Sequence, residues 1–417
     1  MLKVVQDHYD EYLEFNKKLV SFRSVPCEEK ECSEYIVSEL KKLPLDEAFV
    51  DGCGNAVGVL RGTGEGPNLV LNGHIDIVPE GILEKWAPFK PYEAEIVDGM
   101  FYGRGIGDMK CGVAAHFFGL KAIAEYVQKT GKRLSGDIVF VGVVQEEPAE
   151  MFGTKYFFEK TMPEHDLKCD FVYISEPTRG KIMLGQRGKI ELVAKTYGQS
   201  VHSSRPKQGI NAYELMLPVA QAIFKGDGIN LDPDPDLGET CITITNCIVK
   251  PGGNLSTVPN YCEIAIDRRY STALTEEDLL NEFEAIFAKC KEENPNFEAT
   301  IEPRYFEETS WTGYTEKVKK WHPAWKIDKD HPFVEITKKA LRAVDLPDET
   351  DYMVGGTDGS YTCVIAGIPT ILYCTVTSPK SHQEQEAVKV DEMIGAYAGY
   401  VSILAEVYGI ALEEFNQ

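Results

Sequence analysis

The sequence has no long apolar run, no excess of basic charge and no closely paired cysteines, and each absence removes a class of function. No apolar stretch approaches the roughly 18 residues needed to span a bilayer. With 43 basic against 66 acidic side chains the formal net charge is −23. That charge opposes binding to nucleic acid or an anionic membrane surface, since both need a positive face. The eleven cysteines are odd in number and scattered without CxxC pairs, which argues for free thiols in a reducing compartment. Cys111, Cys241, Cys247 and Cys262 read as small core residues. Residues 1–12 carry charges and lack a signal-peptide core, so a cytoplasmic location is expected. There is no internal repeat and no low-complexity tract.

What is present is ordinary globular material, 43% apolar and 10% aromatic over 417 residues, enough for two domains with substantial cores. Amphipathic spacing predicts helices over 4–20 and 32–43, then 112–127 after a long loop. Strands are predicted at 56–60, 69–71, 138–144 and 171–174. The run Ile138 to Val144 is continuously apolar and β-branched, as in a strand covered on both faces. Together these segments predict a doubly wound α/β domain over 1–186.

From about Lys189 the strands become alternating. Strand 190–194, helix 212–224, strands 241–248 and 261–268, helix 276–290 and strand 297–301 give a βαββαβ order. That predicts an inserted ferredoxin-like α+β module over 187–304. Thr275 and Asp278 have capping-box spacing at the start of its second helix. Residues 303–330 read as a linker. Helix 333–344, strand 369–374 and helix 390–408 then return to the first domain over 305–417.

Five segments leave an acidic or imidazole side chain at a strand end or loop tip, where open α/β sheets place their chemistry. His74 ends the strand at 69–71, and the carboxylate of Asp76 is placed to accept its second ring N–H and fix the tautomer. Asp108 lies at the tip of the glycine-rich loop 103–110. That loop lacks both the GxGxxG spacing and the GK[ST] ending of a phosphate cradle, so its glycines are read as folding the backbone around a metal-binding carboxylate. Glu146 and Glu147 follow strand 138–144. Being adjacent they diverge, so that one can bind a cation and the other can face a water. Glu176 follows the next strand, and His382 sits in the loop after 369–374.

The motifs Gly73-His74-Ile75-Asp76, Gly105-Ile106-Gly107-Asp108-Met109-Lys110, Glu146-Glu147-Pro148, Ser175-Glu176-Pro177 and Gly356-Thr357-Asp358-Gly359 resemble, in combination and order, the co-catalytic zinc aminoacylase and exopeptidase superfamily. That superfamily includes acetylornithine deacetylase, succinyl-diaminopimelate desuccinylase and glutamate carboxypeptidase, and the resemblance spans essentially the whole chain. It implies two Zn2+ per subunit, with Co2+ or Mn2+ as substitutes. His74 and Glu176 would hold one ion, Glu147 and His382 the other, and Asp108 would bridge them. Glu146 would be the general base and Asp76 the orienter of His74. His202, within Ser200-Val201-His202-Ser203-Ser204, would stabilise the oxyanion across a homodimer interface formed by the insert. Asn254, Arg268 and Thr357 would bind substrate. Gly185 to Lys189 and Trp311 to Tyr314 resemble a selenium-metabolism-linked branch of these hydrolases.

The function this implies is a dinuclear amidohydrolase acting on an N-acyl amino acid or related small amide. A metallo-dipeptidase or carboxypeptidase is the nearest alternative, and an inactive metal-binding regulatory relative is a remote one. Ser360 stands where the desuccinylases carry arginine, which weakens the case for a second substrate carboxylate.

Overall fold

The computed structural model describes residues 2–148, 151–251 and 256–416. Its larger sheet is built around four parallel neighbours, Ile138–Val143, Leu69–His74, Phe171–Ile174 and Thr370–Leu372. Their buried Val, Ile, Leu and Phe side chains suit strands covered on both faces. Antiparallel strands extend the sheet on both sides, with Ala56–Leu60 and Glu47–Val50 beyond Ile138–Val143 and Ile182–Gln186 beyond Thr370–Leu372. Helices cover it, notably Cys111–Thr130 packed against Val390–Val407. The parallel register places His74 opposite Val143 and Asn72 opposite Ile174. The segments that follow these strands therefore leave the sheet along one edge.

The second sheet has the order Cys241–Lys250, Tyr261–Tyr270, Gly188–Tyr197, Ala299–Pro303, all antiparallel. Helices Ala212–Lys225 and Glu276–Glu293 cover one face and share a separate core that includes Ile190, Leu192, Leu215, Phe283 and Ile286. This is the ferredoxin-like topology that the βαββαβ order implies. The capping box at Thr275 is present, with the Asp278 N–H donating to Thr275 Oγ1 at 3.2 Å and the Thr275 N–H donating to Asp278 Oδ2 at 2.8 Å.

Several local expectations need correction. The first helix is two, Lys3–Asp7 and Tyr9–Ser21, broken at His8, whose ring lies 3.3 Å from the Tyr397 hydroxyl. The segment read as a linker is structured. It holds the hairpin Tyr305–Thr309 with Thr315–Lys319, and two short strands then pair with the insert's sheet and with the main sheet. The long loop before residue 112 carries the hairpin Glu95–Val97 with Met100–Tyr102, joined by Ala387–Lys389. Cys241 and Cys247 are exposed on the insert's edge strand, whereas Cys111 and Cys262 are buried. No helix among the described residues is long and apolar enough to cross a membrane.

Candidate metal centre

His74 is the last residue of its strand and almost fully buried. Its Nε2 lies 3.1 Å from Asp108 Oδ1 and 3.9 Å from Glu176 Oε1. The other oxygen of Asp108, Oδ2, lies 3.2 Å from His382 Nε2, which is also 3.2 Å from Glu147 Oε1. One carboxylate is thus shared between two imidazoles. Each imidazole has a further carboxylate beside it, Glu176 for His74 and Glu147 for His382. These are the five side chains that the sequence set at separate strand ends and loops.

The role expected of Asp76 is met differently. His74 Nδ1–H donates to the backbone carbonyl of Asp76 at 3.0 Å, while the Asp76 carboxylate is 3.6 Å away, beyond hydrogen-bonding range. That carboxylate instead accepts the backbone N–H groups of Glu146 at 3.1 Å and Glu147 at 3.0 Å. Either way Nδ1 carries the proton and Nε2 faces the site.

The loop that carries Asp108 is fixed at both ends. Gly105 has φ +78°, a left-handed conformation that favours glycine, and a Cβ on Gly107 would lie 2.0 Å from Ser378 Oγ. Lys110, fully buried, donates to the carbonyls of Leu19 at 2.8 Å and Phe22 at 2.9 Å. Gln145, also left-handed at φ +55°, donates through Nε2 to the carbonyl of Thr309 at 2.7 Å. The unexpected hairpin therefore braces the strand end that carries Glu146 and Glu147.

Burial of acids dominates the electrostatics, with their mutual charge adding to it. Burial raises Glu176 to about 8, with Asp108 adding to the shift. It raises Asp76 to about 6. Glu146 lies well above the ordinary carboxylate range because of burial and the charges of Glu176, Asp358 and Glu147, against an opposing effect of His74. Burial would also raise Asp108, but its bonds to His382 and His74 hold it far below that range. His382 is pushed up to about 10 by Asp108 and Glu147. In His74, burial disfavours the charge, yet the bond to Asp108 and the charges of Glu146, Glu176 and Asp76 raise it well above the ordinary imidazole range.

A buried surplus of negative charge is costly unless cations offset it. His74, Asp108 and Glu147 offer ligand atoms that all lie within 4.8 Å of one another. Glu147 Oε1 is buried and, despite its closeness to His382, is not aligned for a hydrogen bond. Imidazole and carboxylate donors of this kind suit a divalent transition ion, so the residues present fit the metal.

The remaining expected residues are elsewhere. His202 is exposed in the insert, its Nδ1 2.8 Å from Ser204 Oγ. Asn254 lies outside the described residues. Thr357 is buried, and its hydroxyl is engaged by Gln186 and by the Gly359 N–H. Arg268 is corrected: it is fully buried in the insert, donates to the carbonyls of Cys241 and Arg269, and lies 3.6 Å from Glu282. Strand alternation aims it at the helices, so it has no surface to offer a ligand, and the arginine on the open face is Arg269. Sequence reasoning gave no role to Asp358. It is buried beside the centre, with Oδ2 accepting from Thr154 Oγ1 at 2.6 Å and Oδ1 without a hydrogen-bond partner among the described residues. Its position in Gly356-Thr357-Asp358-Gly359 was the available signal.

Comparison with known proteins agrees with this geometry. The profile described as Peptidase family M20/M25/M40 matches residues 70–406. The chain is 28% identical to the uncharacterised protein YgeY of Escherichia coli K12 over 405 residues, 97% of this chain and 96% of that one. It is 31% identical to the succinyl-diaminopimelate desuccinylase of Nautilia profundicola over 274 residues, 64% and 70% of the two chains. Among solved structures, a tripeptidase from Staphylococcus aureus superimposes with TM-score 0.70 at 21% identity, covering 95% of this chain and 98% of that one. The Bacillus subtilis YXEP protein, a dinuclear metal-binding peptidase of the M20 family, gives 0.67 at 12% identity, covering 97% and 99%. At these identities the structural likeness is one of fold. The chain belongs to peptidase family M20/M25/M40 and is a metal-dependent hydrolase of amide or peptide bonds.

Proposed function

We propose that this protein is a dinuclear zinc amidohydrolase that releases the acyl group from an N-acyl amino acid or a related small amide. The observation that carries the reading is the division of Asp108, with one oxygen toward His74 and the other toward His382. In this assignment His74 and Glu176 would hold one ion, Glu147 and His382 would hold the other, and Asp108 would be shared by both. Bound divalent ions supply Lewis-acid chemistry, polarising the amide carbonyl and acidifying a water.

The chain's own residues do the rest. Glu146 takes a proton from the attacking water and returns it to the departing amine. Asp76 holds the backbone of Glu146 and Glu147 so that the two side chains diverge.

The insert, residues 187–304, acts as lid and dimerisation domain. Its edge strand Cys241–Lys250 is exposed along much of its length, and its first helix leaves Tyr213, Leu217 and Phe224 in solvent. An unpaired edge beside an apolar helix face favours a two-fold pairing. His202 from the partner subunit then serves the oxyanion, and Arg269 rather than Arg268 is the arginine available to a substrate carboxylate. Free thiols throughout the described residues fit a cytoplasmic enzyme.

The test is hydrolysis by zinc-loaded protein of a panel of N-acetyl and N-succinyl amino acids and of dipeptides and tripeptides. Turnover of the N-acyl substrates supports the reading. Turnover of free peptides alone would replace it with a metallopeptidase.

A further inference from the structure

We propose that Glu386 is a positioning residue for the metal centre, locking the Asp108 loop to the His382 loop before any cation binds. The inference rests on the reading of Asp108 and His382 as ligands of shared ions. Glu386 is 1% exposed, and its carboxylate accepts four hydrogen bonds. Oε2 accepts from Arg104 Nη1 at 2.8 Å and from the Gly105 N–H at 2.9 Å. Oε1 accepts from the Gly107 N–H at 2.9 Å and from the N–H of Asp108 itself at 3.2 Å. An ionised carboxylate has about four lone-pair positions, so its accepting capacity is filled.

Glu386 is four residues beyond His382, and the chain on its far side is tied to the same loop. The Gly103 N–H donates to the Glu386 carbonyl at 3.0 Å, and Ala387–Lys389 pairs with Met100–Tyr102. Ser378, on the near side of His382, packs against Gly107 so closely that no Cβ fits there. The two ligand-bearing loops are thus held together on both sides of His382 and at Asp108. Arg104, equally buried, supplies the countercharge while its guanidinium lies 5.3 Å from the centre of the Trp86 ring. A buried ion pair made only for stability would not need to reach three backbone N–H donors of one loop, those of Gly105, Gly107 and, at a ligand's own backbone, Asp108. A carboxylate that does so sets the orientation of Asp108, as outer partners of metal ligands do.

In Glu386→Gln the amide keeps an acceptor for Gly107 and Asp108 but turns a donor toward Gly105 and Arg104. Zinc titration of the metal-stripped variant should give affinity lower by roughly 10–100-fold for both ions. The kcat should fall at limiting zinc and recover in excess zinc, with KM unchanged. A folded variant, judged by near-ultraviolet circular dichroism, that binds zinc like wild type would overturn the proposal. Hydrogen exchange on wild-type protein tests it without mutation. The segment 103–108 should be protected in metal-stripped protein to within a few-fold of the zinc-loaded state, whereas ordering of the loop only on zinc addition would overturn the proposal. Wild-type protein that binds no zinc, or Asp108→Ala that binds as much as wild type, would instead refute the metal-centre reading on which the inference rests.

Discussion

The carboxylate of Asp76 grips the backbone of Glu147, accepting its N–H at 3.0 Å, and accepts that of Glu146 at 3.1 Å through the other oxygen. Asp76 therefore orders the turn that separates the proposed base from the proposed ligand, while its backbone carbonyl orients His74. Asp76→Asn keeps that carbonyl but turns an amide donor toward one of the two N–H groups. The variant should lose about 10–100-fold in kcat while zinc held by His74 is retained. Equal loss of zinc and of turnover would show that the carboxylate acts mainly through His74.

His116 gives a prediction about stability and pH. It is fully buried in the helix Cys111–Thr130 against the edge of Tyr400, neither ring nitrogen has a hydrogen-bond partner among the described residues, and burial lowers its pKa to about 3. In the unfolded chain the ring takes a proton near pH 6.5. Between those values the unfolded state binds one proton more than the native state, so stability falls as pH drops from about 6.5 toward 3. The contribution approaches about 1.4 kcal/mol per pH unit in that window. His116→Leu should flatten the dependence of denaturant midpoint on pH between 6 and 4. Parallel curves for variant and wild type would mean that the ring is protonated in the native state.

Much of the proposed site was legible because four of its residues end or closely follow buried strands. Runs such as Leu69 to Leu71 and Ile138 to Val144 announce buried strands, and a polar side chain immediately beyond one has few structural reasons to be there. His74, Glu146, Glu147 and Glu176 were accessible in this way. What escaped depends on contacts distant in sequence. Nothing near Glu386 signals that it caps a loop 279 to 281 residues earlier. Arg268 and Arg269 are adjacent, and only the register of Tyr261–Tyr270 decides which one is buried. The hairpin around Gly313 was readable in principle, since Phe306, Glu308, Glu316 and Val318 follow a two-residue alternation about a glycine with φ +91°. Pro303 and the charges around it masked that signal.

If His202 serves the partner subunit's metal centre, as proposed, inactive subunits should complement one another. His202→Ala should lose roughly 10²–10³-fold in turnover, as for other single oxyanion donors, with zinc content unchanged. Mixed with Glu146→Ala under conditions of subunit exchange, it should regain activity, because one site of the heterodimer then combines an intact metal centre with the partner's histidine. Heterodimers that form without regaining activity would place His202 outside the site.

The most direct test of the account is the zinc content per chain of wild type, Glu146→Gln, His382→Ala and Asp108→Ala, measured by elemental analysis on metal-saturated, desalted protein. Two ions are expected in wild type and in Glu146→Gln, with turnover of the latter lower by on the order of 10²–10⁴-fold. Loss of one ion is expected in His382→Ala and loss at both sites in Asp108→Ala. A single ion in wild type, or equal one-ion losses in the two ligand variants, would contradict a centre built around a shared Asp108.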